Sequence, residues 1–278
     1  MSGPGRLVLV GTPIGNLGDL APRAVEALTT ADTIACEDTR RTRALLSHLG
    51  LPSARRLLAV HDHNEAVEVA GVLARLDNGE RVVVVTDAGM PGISDPGERL
   101  VAAAAAADHV VEVVPGPTAL ITALVVSGLS TSRFCFEGFL PRKGTARARR
   151  LTEVAADVRT TIVFEAPHRV RQTVADLAGA AGEGRRVAVA RELTKMHEEV
   201  WRGTLAGAVE HLSTKEPRGE YVVVLEGAPP ADPAGESDVE VALRKRLEAG
   251  TDKRSAIAEV AATLGVPKRL VYDIALKL

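Results

Sequence analysis

Short apolar runs alternate with segments of helical periodicity along the first half of the chain. The runs are rich in β-branched residues and predict strands at residues 7–10, 33–36, 82–86 and 110–114. Residues 22–29 and 65–76, which lie between strands, are typical of helices. Strands that are apolar along their whole length and alternate with helices favour a mostly parallel sheet covered on both faces.

A second α/β block follows Arg133, with strands expected at residues 161–164, 187–190 and 221–225 and helices at 169–177 and 205–212. Residues 227–238, GAPPADPAGESD, predict a linker. The sequence after it is helical, with Ile257, Val260 and Leu264 on one face. We therefore expect an N-terminal α/β domain (1–132), a second α/β domain (133–228) and a helical C-terminal segment (239–278).

The first strand ends in a glycine-rich loop, GTPIGNLGD, that matches neither common phosphate-binding loop. Gly11, Gly15 and Gly18 lack the spacing of the dinucleotide fingerprint, and Pro13 removes a backbone donor. The Gly-Lys-Ser/Thr ending of a P-loop is also absent. Considered alone, the loop also fits a tight connection between a strand and a helix.

Two further strands end in loops of small residues, DAGMPGISDPG from Asp87 and PGPTALITAL from Pro115. Thr118 is placed to cap the helix that follows. In open α/β sheets, ligands bind at the carboxyl ends of the strands. Three such loops without cationic side chains indicate a ligand that lacks phosphates and that carries positive charge beside Asp87.

Composition limits the class of protein and its cellular compartment, but it says little about the reaction. Apolar residues make up 46% of the chain, as in an ordinary globular protein, and the formal net charge is −2, so any basic surface must be local. The two cysteines, Cys36 and Cys135, suit a reducing compartment. Neither a secretory signal nor an apolar run of membrane-spanning length is visible, and we expect a cytoplasmic protein.

Eight motifs together carry a family resemblance. In chain order they are TPIGNLGD, EDTRRTRALL, HDHNE, DAGMPGISDPG, PGPTALITAL, FEGFLPRKG, FEAPHR and RELTK. Their order and spacing resemble the tetrapyrrole methylase superfamily, and within it the bacterial enzymes that methylate small-subunit ribosomal RNA. One departure is Phe164, which lacks the hydroxyl of the Tyr that relatives often have there.

The resemblance implies an α/β fold of two domains, with the cofactor in the cleft between them and a small helical C-terminal segment. It also implies that a homodimer transfers a methyl group from S-adenosylmethionine to a cytidine 2'-hydroxyl in the decoding region of 16S ribosomal RNA, within the small ribosomal subunit. The contacts with S-adenosylmethionine that the resemblance implies are Thr12, Pro13, Asp87, Gly89, Ile93, Ser94, Thr118, Ala119, Phe164, Glu165, Leu193 and Thr194.

Methyl transfer requires alignment of the hydroxyl oxygen, the methyl carbon and the sulfur, and a proton acceptor assists it. The candidates at strand ends are Glu37, His61, Glu165 and Glu192. Each also fits a capping or ion-pair role, and the sequence does not select among them. We expect no metal, because the leaving group is a neutral thioether and no Cys/His cluster has metal-ligand spacing.

Two basic groups are candidates for phosphate contacts with RNA. They are Arg40 and Arg41 and, within residues 140–150, Arg142, Lys143, Arg147, Arg149 and Arg150. Gly144 and Thr145 predict that the second group is a mobile loop. A solvated charge run is the alternative interpretation.

Two other functions stay open at this point. An enzyme of the same fold that acts on a tetrapyrrole or another small molecule would not need the basic groups. The C-terminal sequence SAIAEVAATLGVPKRLVYDIAL is typical of a helix–turn–helix, which would indicate a DNA-binding protein. That module would offer only Lys268 and Arg269 for base contacts and would leave the three loops unexplained.

Overall fold

A computed structural model describes residues 5–52, 56–61, 63–229 and 235–278. The described strands are β1 (Arg6–Val10), β2 (Thr33–Cys36), β3 (Arg56–Ala59), β4 (Arg81–Val85), β5 (Val110–Val114), β6 (Phe134–Phe139), β7 (Thr160–Glu165), β8 (Arg186–Arg191), β9 (Glu199–Thr204) and β10 (Tyr221–Leu225). The described helices are α1 (Pro22–Thr30), α2 (Thr39–His48), α3 (Glu65–Asp77), α4 (Glu98–Ala106), α5 (Ala119–Ser127), α6 (Gly144–Ala156), α7 (Pro167–Ala181), α8 (Leu205–Ser213), α9 (Glu236–Glu248), α10 (Lys253–Leu264) and α11 (Lys268–Ala275).

The first sheet is parallel in every described pairing, with the strand order β3-β2-β4-β1-β5. Leu28 of α1 and Leu46 of α2 pack on one face of the sheet. Val72 of α3 and Leu100 of α4 pack on the other face. The prediction of a parallel sheet with helices on both faces is confirmed, and it explains why the central strands are apolar along their whole length.

The second sheet has the order β6-β7-β10-β8-β9 and is mainly antiparallel, since only β6 and β7 run parallel. Val154, Leu177 and Leu205, from α6, α7 and α8, pack on one of its faces. Its other face is covered by Leu120 and Leu124 of α5. Since α5 follows β5 after the loop at residues 115–118 and packs on the second sheet, this helix links the two sheets.

Three strands are absent from the sequence-based prediction, namely β3, β6 and β9. Each is an edge strand, and the two in the second sheet are only partly buried, so neither carries a continuous apolar run. In β6 the register shifts between Phe136 and Phe139, and Gly138 between them adopts φ 59°. Such a bulge interrupts the alternation that would otherwise mark a strand.

The chain divides into two compact units, Met1–Gly227 and Ala228–Leu278. Both sheets belong to the first unit, and the expected domain boundary at residues 132/133 stays a prediction. In the second unit, α9, α10 and α11 enclose a core that includes Val239, Val260 and Ile274. The helix α9 begins at Glu236, inside the expected linker, of which residues 230–234 lie outside the described residues.

Candidate active site

Backbone contacts join the three small-residue loops at the carboxyl end of the first sheet. Thr12 and Gly89 exchange two backbone hydrogen bonds, of 2.9 and 3.1 Å. A Cβ added to Gly11 would lie only 2.6 Å from the Gly116 Cα, so only glycine allows these two backbones to touch. The glycines of the first loop therefore serve contact between loops.

A cavity of about 410 Å³ lies between these loops and the adjoining strand ends of the second sheet. The first sheet contributes the residues that follow β1, β2, β4 and β5, and the second contributes the ends of β6 and β7, the turn after β8 and the start of β10. The volume is in the usual range of small-molecule sites, roughly 300–1,000 Å³.

The structure brings most of the expected cofactor contacts together at this cavity. Those that line it are Asp87, Gly89, Ile93, Ser94, Thr118, Ala119, Phe164, Glu165 and Leu193. Thr12 instead is buried in the loop junction, where its hydroxyl donates to the Thr86 carbonyl at 3.1 Å. Pro13 lines a neighbouring cavity, and Thr194 lines an open depression beside Pro115.

Several lining residues are not among the expected cofactor contacts, although Ile14, Met90 and Phe139 lie within quoted motifs. Ile14, Met90, Phe139, Tyr221 and Val222 all border the cavity. The apolar pattern of β10 indicates only that its residues are buried, and Phe139 ends an edge strand that the pattern does not predict. Their position depends on how the two sheets meet.

Asp87 is one of the carboxylates that the first sheet contributes to the described lining of the cavity. Partial burial and the nearby charge of Glu37 raise its pKa, while Arg41, whose Nε lies 3.4 Å from Oδ2, opposes the increase. The Asp38 backbone amide donates to Oδ1 at 3.2 Å. Asp87 thus holds a charge that its protein neighbours compensate incompletely, which suits a site for a cation.

Glu37 and Asp38, which are adjacent in sequence, have different roles. Glu37 lines the cavity and accepts one hydrogen bond, from the Thr86 hydroxyl at 3.1 Å. Asp38 caps α2, accepting from the Arg40 amide at 2.8 Å, and forms an ion pair with the Arg40 guanidinium at 2.7 Å. The hydrogen bonds from Arg40 hold the pKa of Asp38 well below its ordinary value.

Glu165, from β7 of the second sheet, has a side chain with 0% exposure. Its oxygens accept from the Thr173 hydroxyl at 2.6 Å and from the Ala166 amide at 2.9 Å, and Arg169 Nε lies at 3.3 Å. Arg169 also donates to the Leu140 carbonyl at 2.7 Å. Glu165 is fully engaged in a structural network and is a poor candidate for accepting a proton.

Two other expected proton acceptors are also unfavourably placed. Glu192 adopts φ 50° and accepts from Lys195 Nζ at 2.9 Å and the Glu220 amide at 3.0 Å. Burial alone would raise the pKa of Glu192, but these bonds and the Lys195 charge lower it overall, which weakens it as a base. His61 is exposed, and it is not among the residues that border the cavity.

The expected mobile loop at residues 140–150 is wrong, because residues 144–156 form α6. The expectation that Arg147 contacts RNA is wrong as well, since it is buried. Its guanidinium pairs with Asp176 at 2.7 Å and donates to the Thr173 hydroxyl at 3.0 Å and to the Pro141 carbonyl at 2.9 Å. Once the segment is helical, Arg147 shares a face with Leu151 and Val154, which pack on the core, so the error follows from treating the segment as a loop.

The remaining cations of this segment are exposed. Arg149 and Arg150 form ion pairs with Glu153, at 3.6 and 3.0 Å, and Arg150 also approaches Glu137. Exposed ion pairs of this kind contribute little to stability, and their arginines can exchange the carboxylate for another anion. Arg142 and Lys143 form no ion pair within the described part of the chain.

Two kinds of feature are absent from residues 5–52, 56–61, 63–229 and 235–278. No three His, Cys, Asp or Glu residues there are placed to share a metal ion. None of the described helices combines the length and the apolar character that crossing a bilayer requires.

Comparison with known proteins identifies the family. The family described as Tetrapyrrole (Corrin/Porphyrin) Methylases matches residues 6–209. The chain is 45% identical to the ribosomal RNA small subunit methyltransferase I of Synechocystis, over 99% of this chain and 98% of the relative. It is 47% identical to the protein of that name from Xylella fastidiosa, over 98% and 99%. The Escherichia coli O157:H7 protein is 41% identical, over 98% and 95%.

The chain belongs to the tetrapyrrole methylase family and, within it, groups with the ribosomal RNA small subunit methyltransferases I. Solved structures share the tetrapyrrole methylase fold. The methyltransferase CobJ has a TM-score of 0.62 at 20% identity, over 81% of this chain and 95% of that chain. Diphthine synthase has a TM-score of 0.59 at 13% identity, over 80% and 90%. The predicted fold class is confirmed.

Tetrapyrrole methylases use S-adenosylmethionine as methyl donor, which confirms the expected cofactor. The residues around the cavity fit such a ligand. Asp87 supplies a negative charge for a sulfonium, and Ile14, Phe164 and Leu193 supply apolar walls. No cation within the described lining other than Arg41 is available for a phosphate, and Arg41 is paired with Asp87.

Proposed function

We propose that this tetrapyrrole methylase transfers a methyl group from S-adenosylmethionine to the 2'-hydroxyl of a cytidine in the decoding region of 16S ribosomal RNA. The observation that carries the proposal is similarity over nearly the whole chain, at 41–47% identity, to proteins named ribosomal RNA small subunit methyltransferase I. The cavity at the carboxyl ends of the first sheet supports it, because its lining suits a cationic ligand without phosphates.

S-adenosylmethionine supplies a methyl group on a positively charged sulfur that leaves as a neutral thioether. In this proposal Asp87 faces that charge, and the apolar side chains of Ile14, Phe164 and Leu193 keep water away from the reacting atoms. Exclusion of water strengthens the attraction between a carboxylate and a cation. The Thr118 hydroxyl accepts a hydrogen bond of 3.2 Å from the Ile121 amide, which caps α5 and fixes the loop between β5 and α5.

Glu37 is the remaining candidate for accepting the proton of the ribose hydroxyl. Glu165 and Glu192 have their carboxylate oxygens occupied by several donors, whereas Glu37 accepts one described hydrogen bond, from Thr86. It also lines the cavity, beside Asp87. A carboxylate in this position removes the proton as the oxygen attacks the methyl carbon, and positioning of the two reactants supplies the rest of the acceleration.

Arg142 and Lys143 are the cations that we propose for RNA phosphates. They follow β6 directly, only three and four positions after Phe139, which lines the cavity. The segment between Phe139 and Arg142 is held in place, because Arg169 donates a hydrogen bond to the Leu140 carbonyl and Arg147 donates one to the Pro141 carbonyl. A phosphate backbone bound here would lie close to the methyl donor.

A second copy of the chain is the partner that we expect besides the small ribosomal subunit. Val111 and Val113 of the edge strand β5, with Ile121 and Val125 of α5, are large apolar side chains that are 36–63% exposed. Exposed apolar patches of this kind are typical of interfaces. Light scattering on the wild type and on a Val113→Lys/Val125→Lys variant tests this, and a monomeric wild type would contradict it.

The test of the function uses small ribosomal subunits that lack the modification. After incubation with labelled S-adenosylmethionine, we expect label in 16S ribosomal RNA and 2'-O-methylcytidine in its nuclease digest. Glu37→Gln should lower the single-turnover rate by about 10²-fold or more, as expected for loss of general-base catalysis. Glu26→Gln, an exposed position on α1, is the matched control and should leave the rate unchanged. Label in another nucleotide, or none in the RNA, would overturn the proposal.

A further inference from the structure

A second cavity, of about 280 Å³, lies beside the first at the same edge of the parallel sheet. It is formed by the loop after β1, the helix α2 and the end of β4. Arg41 and Asp87 line both cavities, so the ion pair between them belongs to a shared wall. Nothing in the proposed function so far uses this second space.

The chemistry of the second cavity differs from that of the first. Leu17 and Leu45 supply aliphatic surface, and Leu17 is 46% exposed although it is a large apolar side chain. His48, at the last turn of α2, supplies an imidazole that has no hydrogen bond or ion pair within the described residues. Apolar surface with a few polar groups at its border is typical of a small-molecule site.

The shared wall also carries the groups that the reaction needs. Thr86 lines the second cavity, and its hydroxyl donates to Glu37, which lines the first. Reacting atoms must approach to about 3–3.5 Å, so the acceptor has to occupy space directly adjoining the methyl donor. The second cavity adjoins the first at Arg41 and Asp87, which line both, and Glu37 lies on the side of the first cavity.

We propose that the second cavity receives the target nucleoside, turned out of the RNA, with its 2'-hydroxyl at the wall formed by Asp87 and Arg41. This inference rests on the proposed function and names the acceptor subsite within it. Bases in single-stranded RNA are readily splayed out of the stack. Arg40 and Arg43, exposed on α2 beside the cavity, are placed for the phosphates on either side of that nucleotide.

Ala44 offers a way to fill this cavity without disturbing the core. It lines the second cavity, is exposed on α2, and does not border the first cavity. Ala44→Phe should therefore block the nucleoside and leave the methyl-donor cavity unchanged. Ser47→Phe places the same side chain at an exposed position of the same helix that does not line the cavity, and it is the matched control.

The first measurement does not depend on activity. Saturation-transfer NMR is recorded with cytidine as the probe, in the presence of S-adenosylhomocysteine to fill the methyl-donor cavity. We expect a cytidine signal with the wild type and Ser47→Phe, and its loss with Ala44→Phe. An equal signal from all three proteins would overturn the inference.

The second measurement is single-turnover methylation of small ribosomal subunits. Ala44→Phe should lower the rate by about a hundredfold, as expected when an acceptor is displaced, with calorimetric affinity for S-adenosylmethionine unchanged. If the wild type methylates the RNA and Ala44→Phe does so equally fast, the subsite is wrong while the proposed function stands. If the wild type transfers no methyl group to the RNA, the proposed function fails, and the NMR measurement alone decides whether cytidine occupies the second cavity.

Discussion

Two carboxylates face the same cavity from opposite sheets, and their surroundings differ completely. Asp87, after β4 of the first sheet, has a pKa that burial and the nearby carboxylate of Glu37 raise, although the cation of Arg41 lies at 3.4 Å and opposes the increase. Glu165, at the end of β7 of the second sheet, is fully buried and has Arg169, Thr173 and a backbone amide as partners.

In our proposal, this contrast separates a carboxylate that faces a ligand from one that stabilises the fold. A buried charge that its neighbours satisfy is costly to remove, because the partner charge stays behind. A charge that its neighbours satisfy incompletely can be completed by a cationic ligand. The loops of the first sheet are therefore joined by backbone contacts and leave Asp87 for a ligand. On the opposite side of the cavity, Arg169 and Arg147 bind Glu165 and nearby carbonyls and stabilise the second sheet.

The largest effect is expected for Glu165→Ala, which tests whether the two carboxylates differ in their contribution to stability. It leaves Arg169 without its carboxylate partner, and we expect the free energy of unfolding to fall by about 3–5 kcal/mol, as for a broken buried ion pair. Chemical denaturation measures this. Asp87→Ala serves as the matched variant, with a loss well below that of Glu165→Ala. Equal losses would show that the two carboxylates have the same role.

The second test separates the buried cation of residues 142–150, Arg147, from the four exposed ones. Replacing Arg142, Lys143, Arg149 and Arg150 by Ala should make the slope of log affinity for the small subunit against log salt shallower by up to about 3, or roughly 0.7 per phosphate contact. The expected loss of affinity is about a hundredfold at moderate salt.

Two controls make the salt experiment specific. Arg147→Ala should lower the free energy of unfolding and leave the salt slope unchanged, because its guanidinium is held by Asp176 inside the protein. Arg23→Ala with Arg99→Ala removes exposed cations on α1 and α4 and should change neither quantity. A salt slope that is unaltered in the fourfold variant would mean that the four exposed cations are only a solvated surface.

Asp87→Asn tests the ligand side of the comparison. We expect affinity for S-adenosylmethionine to fall by about tenfold, or roughly 1.4 kcal/mol, when the charge facing the sulfonium is removed. Isothermal calorimetry measures it. A folded variant with unchanged affinity would contradict the assignment of Asp87.

The same variant has an opposite effect on stability. The folded-state pKa of Asp87 is above the ordinary value of 3.8, so between these two values the folded protein binds more protons than the unfolded chain. The free energy of unfolding therefore falls as pH rises through that window, and the loss is complete above the folded-state pKa. Asp87→Asn should remove this loss and raise the melting temperature at neutral pH, measured without ligand.

The smallest expected effect is that of Thr173→Val. The Thr173 hydroxyl links Glu165, to which it donates at 2.6 Å, with Arg147, from which it accepts at 3.0 Å. Removing it should cost about 1 kcal/mol of unfolding free energy. Thr152→Val, an exposed position on α6, should cost much less, and equal losses would show that the link contributes nothing.

The fold could be predicted from the sequence to the extent that local pattern carries it. The central strands of the first sheet and the helices α1 and α3 follow from apolar runs and periodicity. The strands β6 and β9 do not, because they are only partly buried and polar residues or glycine interrupt their apolar pattern, and β3 has only four residues. Most of the expected cofactor contacts lie at the cavity, since strand-end loops of a parallel sheet share one edge.

The sequence by itself determined the alternation of strands and helices, the three loops joined through Gly11, Gly89 and Gly116, and the family. Tertiary structure decided which charges are free. Arg147 and Arg142 belong to one basic segment, yet only Arg147 is buried, against Asp176 and Thr173 of α7. Glu37 and Glu165 both follow apolar strands, yet only Glu165 is enclosed. Residues far apart in the chain supply those partners, and no local pattern encodes which of them will meet.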